Sequence, residues 1–168
     1  MIKDSQVHLY AHSEIKVELL KLYLERYLSI IGLYPHFGDV HLYDFFCGEG
    51  RYKDGGEGSP LVILKTIDRI LNSPETGSKI SSKFHCQFND LDETKTSKVQ
   101  SIISGDGLHS NQMGSLTLSN LDYKELVKEV QAKIPKLQSD KCFAFIDPYG
   151  YKDISANDIE KLLKCKKS

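Results

Sequence analysis

Three apolar runs in this chain end in an acid, and those acids are the residues whose type and place could do chemistry. His41-Leu42-Tyr43-Asp44-Phe45-Phe46-Cys47-Gly48-Glu49-Gly50 passes through Asp44 and Phe46 into a Gly-x-Gly turn. Lys83-Phe84-His85-Cys86-Gln87-Phe88-Asn89 closes on Asp90, and Lys141-Cys142-Phe143-Ala144-Phe145-Ile146 closes on Asp147-Pro148-Tyr149-Gly150. A fourth run, Ser115-Leu116-Thr117-Leu118-Ser119, leads into Asn120, Leu121 and Asp122. Glycine at 48 and 50 lets the backbone approach a ligand closely. A carboxylate at the tip of a second strand can accept two hydrogen bonds at once, which suits the paired hydroxyls of a ribose, and Asp90 is the candidate. Asn120 and Asp122 stand at the corresponding end of the fourth run. The same residues also read as ordinary strand ends, because acids and Asx residues terminate strands and start turns. Residue types alone leave both readings open.

The acids need elements to position them. The apolar runs read as buried parallel strands near 40–46, 84–89, 115–119 and 142–146. Helical spacing falls between them. Residues 60–71 carry Leu61, Leu64, Ile67, Ile70 and Leu71, with Ser59 as N-cap and Pro60 at the first helical position. Weaker patterns cover 93–103, 123–137 (interrupted near Pro135) and 157–163. A long helix is expected from a cap at Ser13 to Ile31, closed by Gly32. Strands alternating with helices predict an α/β fold, with a parallel sheet in the order 3-2-1-4 and right-handed crossovers. Asp44 and Asp90 would then share adjacent carboxyl ends, where open parallel sheets bind their ligands. Residues 51–60, 72–82 and 105–114 read as loops.

Composition sets limits. With 168 residues, 40% of them hydrophobic, the chain supports one domain spanning 1–168. A net charge of −1 argues against nucleic-acid binding over the whole surface. Lys161, Lys164, Lys166 and Lys167 could form a local basic patch, or a solvated end. Cys47, Cys86, Cys142 and Cys165 have no Cys-x-x-Cys spacing, which fits reduced thiols in a cytoplasmic protein. The six histidines form no ligand pattern, His85 reads as a structural residue inside a strand, and no metal site is expected. No apolar run approaches the ~18 residues of a membrane span.

The pattern Asp44-Phe45-x-x-Gly48-x-Gly50 resembles the first motif of S-adenosylmethionine-dependent methyltransferases, whose turn wraps the amino-acid end of the cofactor. It fits a dinucleotide fingerprint less well, because Lys53 stands where that motif wants a third glycine. Within the methyltransferase class, further segments are similar to the three-Cys-motif partner proteins. They are Ala11-His12-Ser13-Glu14-Ile15-Lys16 leading to Leu20, Tyr23 and Leu24, and the run from Gly48 through Gly55-Gly56-Glu57-Gly58-Ser59-Pro60-Leu61. Phe88-Asn89-Asp90-Leu91-Asp92 and Phe145-Ile146-Asp147-Pro148-Tyr149-Gly150 complete the set, with Asn89 an unexpected polar residue. The likeness extends over about 11–163. It implies a Rossmann-like methyltransferase sheet, S-adenosylmethionine as cofactor with Asn120 or Asp122 at its adenine, and a protein partner bearing three cysteines, but no particular methyl acceptor.

Asp147-Pro148-Tyr149 is similar to the Asp/Asn-Pro-Pro-aromatic turn of methyltransferases that act on exocyclic amines of bases. There the acid or a carbonyl accepts hydrogen bonds from the amine, and the ring stacks on the base. One proline in place of two keeps open the plainer reading of a strand-ending turn. The leading expectation is a cofactor-binding methyltransferase-like protein with a nucleic-acid substrate. The rival is a non-catalytic module of the same fold that docks the three-cysteine partner. A full methyltransferase sheet resembles seven strands, whereas four are legible here. The chain is therefore expected to be a truncated member whose fourth strand, 142–146, is an open edge available for self-association.

Overall fold

The computed structural model describes residues 5–34, 36–148 and 154–164, and their side chains from 14 to 163. Tyr149, Gly150, Cys165, Lys166 and Lys167, all named above, lie outside the described residues.

The fold is α/β. Four strands, β1 (Val40–Asp44), β2 (Phe84–Asn89), β3 (Leu116–Ser119) and β4 (Lys141–Phe145), form one all-parallel sheet in the order β3-β2-β1-β4. The central strands β1 and β2 are buried nearly throughout, as continuous apolar runs require, whereas the outer strands are half-buried. Register pairs Asp44 with Phe88 of β2 and with Phe145 of β4. All three candidate acids therefore emerge from one end of the sheet.

Among the described residues, five α-helices cover the faces: α1 (Ser5–Gly32), α2 (Ser59–Leu71), α3 (Glu93–Asp106), α4 (Tyr123–Lys133) and α5 (Ala156–Lys164). On one face Val40, Leu42, Phe84, Cys86 and Phe88 pack with Leu20, Leu24 and Leu28 of α1, Leu61, Leu64 and Ile67 of α2 and Val99 of α3. On the other, Tyr43 and Phe45 pack with Leu126, Val127 and Val130 of α4 and with Leu162 of α5. The crossovers β1-α2-β2 and β2-α3-β3 run one way along the sheet, and β3-α4-β4 runs back. Crossovers of one hand must then place α4 opposite α2 and α3, as observed. The reversal lies between β2 and β1 on one side and β4 on the other, at the carboxyl end that carries the acids.

Several boundaries differ from the sequence-based expectation. Helix α1 begins at Ser5 and not at a Ser13 cap. Residues 6–12 hold no glycine or proline, so nothing stops the helix short, and serine inside a helix costs only a few tenths of a kcal/mol. Gly58, not Ser59, is the N-cap of α2, which puts Ser59 in the first turn beside the site. Helix α3 runs three residues past the expected 103, to Asp106, and ends at Gly107 in the left-handed conformation (φ 62°). Helix α4 gives way at Ile134–Lys136 to a 3-10 turn, because Pro135 has no N–H to continue the ladder. Helix α5 reaches one residue further at each end than expected. Among the described residues, no helix is long and apolar enough to cross a membrane.

Candidate functional site

Asp44 ends β1 and is completely buried. Its Oδ1 accepts the N–H of Phe46 at 3.2 Å, and its Oδ2 has no hydrogen-bond partner. Burial pushes its pKa up to about 7. The Ser59 hydroxyl and the Phe46 N–H pull it down, while the charges of Asp147 and Asp90 add to the rise. Ser59 is thus near enough to act on the acid, yet it leaves Oδ2 without a hydrogen bond. A buried carboxyl oxygen left in this way is costly; Thr66 Oγ1 and the Tyr123 hydroxyl are likewise buried without a partner.

The glycine turn follows. Gly48 and Gly50 take φ values of 63° and 80°, a region that side-chain-bearing residues rarely adopt. A Cβ on Gly50 would sit 3.2 Å from Val99 Cγ2 of α3. The turn docks on the end of β2: Cys47 donates its N–H to the Asn89 carbonyl (2.8 Å), and Gly48 donates to Asp90 Oδ2 (3.2 Å). Beyond it, Gly58 donates to the Gly50 carbonyl at 2.7 Å, and Tyr52 donates to the Gly56 carbonyl at 2.8 Å. Residues 51–57 are therefore a small closed loop bridged at Arg51 and Glu57.

Asp90 stands at the end of β2, 6% exposed. Besides Gly48 it accepts the Asp92 N–H on Oδ1 (3.0 Å), and the Lys95 ammonium lies 3.3 Å from the same oxygen. Lys95 is in the first turn of α3, which Asp92 caps by accepting from Thr94 N–H at 2.9 Å. Asn120 donates to the Asp90 carbonyl and to Thr96 Oγ1, both at 2.8 Å, so it buttresses the acid from the end of β3. Asp122 is occupied as the N-cap of α4, accepting from Lys124 N–H. Phe46 is half-buried and stacks on Tyr123 of α4, with centroids 5.5 Å apart and rings 20° from parallel.

Asp147 follows β4, and its Oδ1 accepts from the Lys16 ammonium of α1 at 2.6 Å. Pro148 is half-buried beside it. The structure thus brings Asp44, Asp90 and Asp147 to one end of the sheet and sets Lys16 and Lys95 against the outer two. The buried central acid has no cation of its own.

Sequence reasoning missed Asn89 as a working residue. Its side chain donates to the Leu121 carbonyl (3.0 Å) and accepts from Leu121 N–H (2.9 Å) and Ser119 Oγ (2.9 Å), clamping β2 to the segment after β3. Its polarity inside an apolar run was the available signal. Ser59 gave no signal as a neighbour of Asp44, because only the fold brings it there, whereas Lys95 is five residues after Asp90 in the first turn of the next helix. Cys47 and Cys86 are buried, and burial pushes both thiols well up, Cys86 to about 12, so neither is a ready nucleophile. Among the described residues, no group of three or more His, Cys, Asp or Glu is placed to hold a metal ion. Cavities of about 430 and 320 Å³ are lined by none of the three acids: one lies between α4 and α5, and one between α1, α2 and the 51–57 loop. Against protein-family models, curated protein sequences and solved structures, the chain finds no match.

Proposed function

We propose that this chain is an S-adenosylmethionine-binding, methyltransferase-like protein related to the three-Cys-motif partners, with nucleic acid as its acceptor class. The observation that carries the reading is the orphaned Oδ2 of buried Asp44, directly behind a Gly-x-Gly turn at the reversal point of a parallel sheet. That is where such sheets hold nucleotide-like ligands. The residues fit the cofactor. Asp44 would offer an acceptor for its amino group once the turn over this buried acid shifts, and the bare backbone of Gly48 and Gly50 allows close approach. Asp90, already accepting from Gly48 and Asp92, retains lone-pair capacity for ribose hydroxyls. Phe46 supplies an apolar wall.

When bound, S-adenosylmethionine supplies an electrophilic methyl group. The chain's part is to orient the acceptor, and Asp147 is the residue that would accept a hydrogen bond from its amine. Lys16 now holds that carboxylate, so the amine has to share or displace the ammonium.

Isothermal titration with S-adenosylhomocysteine tests the cofactor reading. Saturable binding that is lost in Gly50→Ala supports it. Absence of binding by a folded wild-type chain ends it. A second reading, a non-catalytic docking module for a three-cysteine protein, is favoured by the position of β4 at the edge of the sheet among the described residues and by the engagement of Asp147 with Lys16. Transfer of labelled methyl from the cofactor to nucleic acid separates the two. Binding without transfer is the module's signature.

A further inference from the structure

Helix α1 is apolar on two sides. Leu20, Leu24 and Leu28 bury against the sheet, while Ile15, Leu19, Leu22 and Ile30 point the other way and are 58%, 61%, 53% and 64% exposed. Their spacing of four, three and eight residues keeps them on one stripe of the helix. Among the described residues, the other comparably exposed large hydrophobics outside α1 and the turn after it are Leu91 and Leu163, each isolated. A helix with an apolar outer stripe as well as an apolar inner face is built to be covered on both.

We infer that this stripe packs antiparallel against the same stripe of a second copy of the chain. The argument for a second copy is the charge pattern. Glu18 and Arg26 stand four residues either side of Leu22, both exposed. A twofold axis at Leu22 brings Glu18 of each copy against Arg26 of the other, a self-complementary contact. Parallel pairing would set like charges together. Among the described residues Glu18 pairs with Lys21, at 3.5 Å and one turn away. Arg26 has no ion-pair partner among the described residues. At ~1.5 Å per residue, α1 is about 42 Å long, enough for Ile15 and Ile30 to seat on either side of the axis. This inference does not rest on the cofactor reading.

Sedimentation velocity of the full chain over about 1–100 µM, the range of weak to moderate dimers, tests it. The wild type should show a reversible dimer. Leu22→Glu should abolish it while leaving the circular dichroism spectrum unchanged, because position 22 is exposed. Glu18→Arg and Arg26→Glu should each weaken the dimer by about tenfold or more, since like charges then face each other. An equimolar mixture of those two variants should recover it, because the mixed dimer has opposite charges at both contacts. Three results would overturn the inference: a wild type that stays monomeric throughout, a dimer indifferent to both reversals, or a mixture that fails to recover. In the first case the stripe belongs to a different protein.

Discussion

Gly48 donates its backbone N–H to Asp90 Oδ2 at 3.2 Å, so the turn that leaves β1 is held by the acid that ends β2. Two segments 42 residues apart share one anchor. The two strand-end acids consequently differ: Asp90 is engaged by backbone and by Lys95, while Asp44 keeps an oxygen with no donor.

Asp90→Ala should destabilise the fold by about 1.5–3 kcal/mol, the range for hydrogen bonds to a charged acceptor, and should also weaken S-adenosylhomocysteine binding. Asp90→Asn should lose less, because one acceptor oxygen survives. Urea unfolding and calorimetry on the same samples check this. An unchanged urea midpoint in Asp90→Ala would show that the bond to Gly48 holds nothing.

Asp44 sets a pH dependence. Its folded pKa, about 7, lies above the ordinary value of 3.8. Between about pH 4 and 7 the native state therefore holds a proton that the unfolded chain has released. Stability due to this group is full below the unfolded pKa and falls as pH rises to about 7, by an amount on the order of a few kcal/mol. Asp44→Asn should flatten this part of the profile. Parallel urea curves for the two proteins from pH 4.5 to 7.5, a constant difference between them, would remove Asp44 as the cause.

Gly50→Ala should cost more than Gly55→Ala. Both positions have positive φ, worth about 1–2 kcal/mol for a residue with a Cβ. At Gly50 the new methyl also meets Val99 at 3.2 Å, whereas at Gly55 nothing lies within 4 Å. Thermal melts of the two variants give the comparison, and equal losses would mean that α3 yields freely to the turn.

Lys16→Met should change stability by less than about 1 kcal/mol, because the pair with Asp147 is partly exposed and solvent screens it. If Asp147 addresses an acceptor amine, the substitution frees its carboxylate, and acceptor binding should change in affinity without a matching shift in melting temperature. A large loss of stability would instead make Lys16 a structural tie between α1 and the end of β4.

The sequence by itself determined the strands, their order and the end of the sheet that carries the acids. Apolar runs of strand length, separated by helical spacing, allow few arrangements once crossovers must share a hand. It also marked Gly48 and Gly50, because only glycine takes their backbone conformation without strain. Helix limits were less legible. Ser13 and Ser59 are good capping residues in isolation, but a cap acts only where the backbone leaves the helix; Ser13 lies inside α1, and Gly58 takes the cap of α2.

What only the tertiary structure decided was which acid is satisfied. Asp44 and Asp90 look alike in sequence, each closing an apolar run. Gly48, Asp92 and Lys95 converge on Asp90, whereas Asp44 has the Phe46 N–H on Oδ1, the Ser59 hydroxyl nearby and no donor in hydrogen-bond geometry on Oδ2. Gly48 reaches Asp90 from the turn after another strand and has no local signature there, because register and packing bring it, whereas Asp92 and Lys95 lie two and five residues along the chain. The same holds for Lys16, 131 residues from Asp147 in the chain and 2.6 Å from it in space.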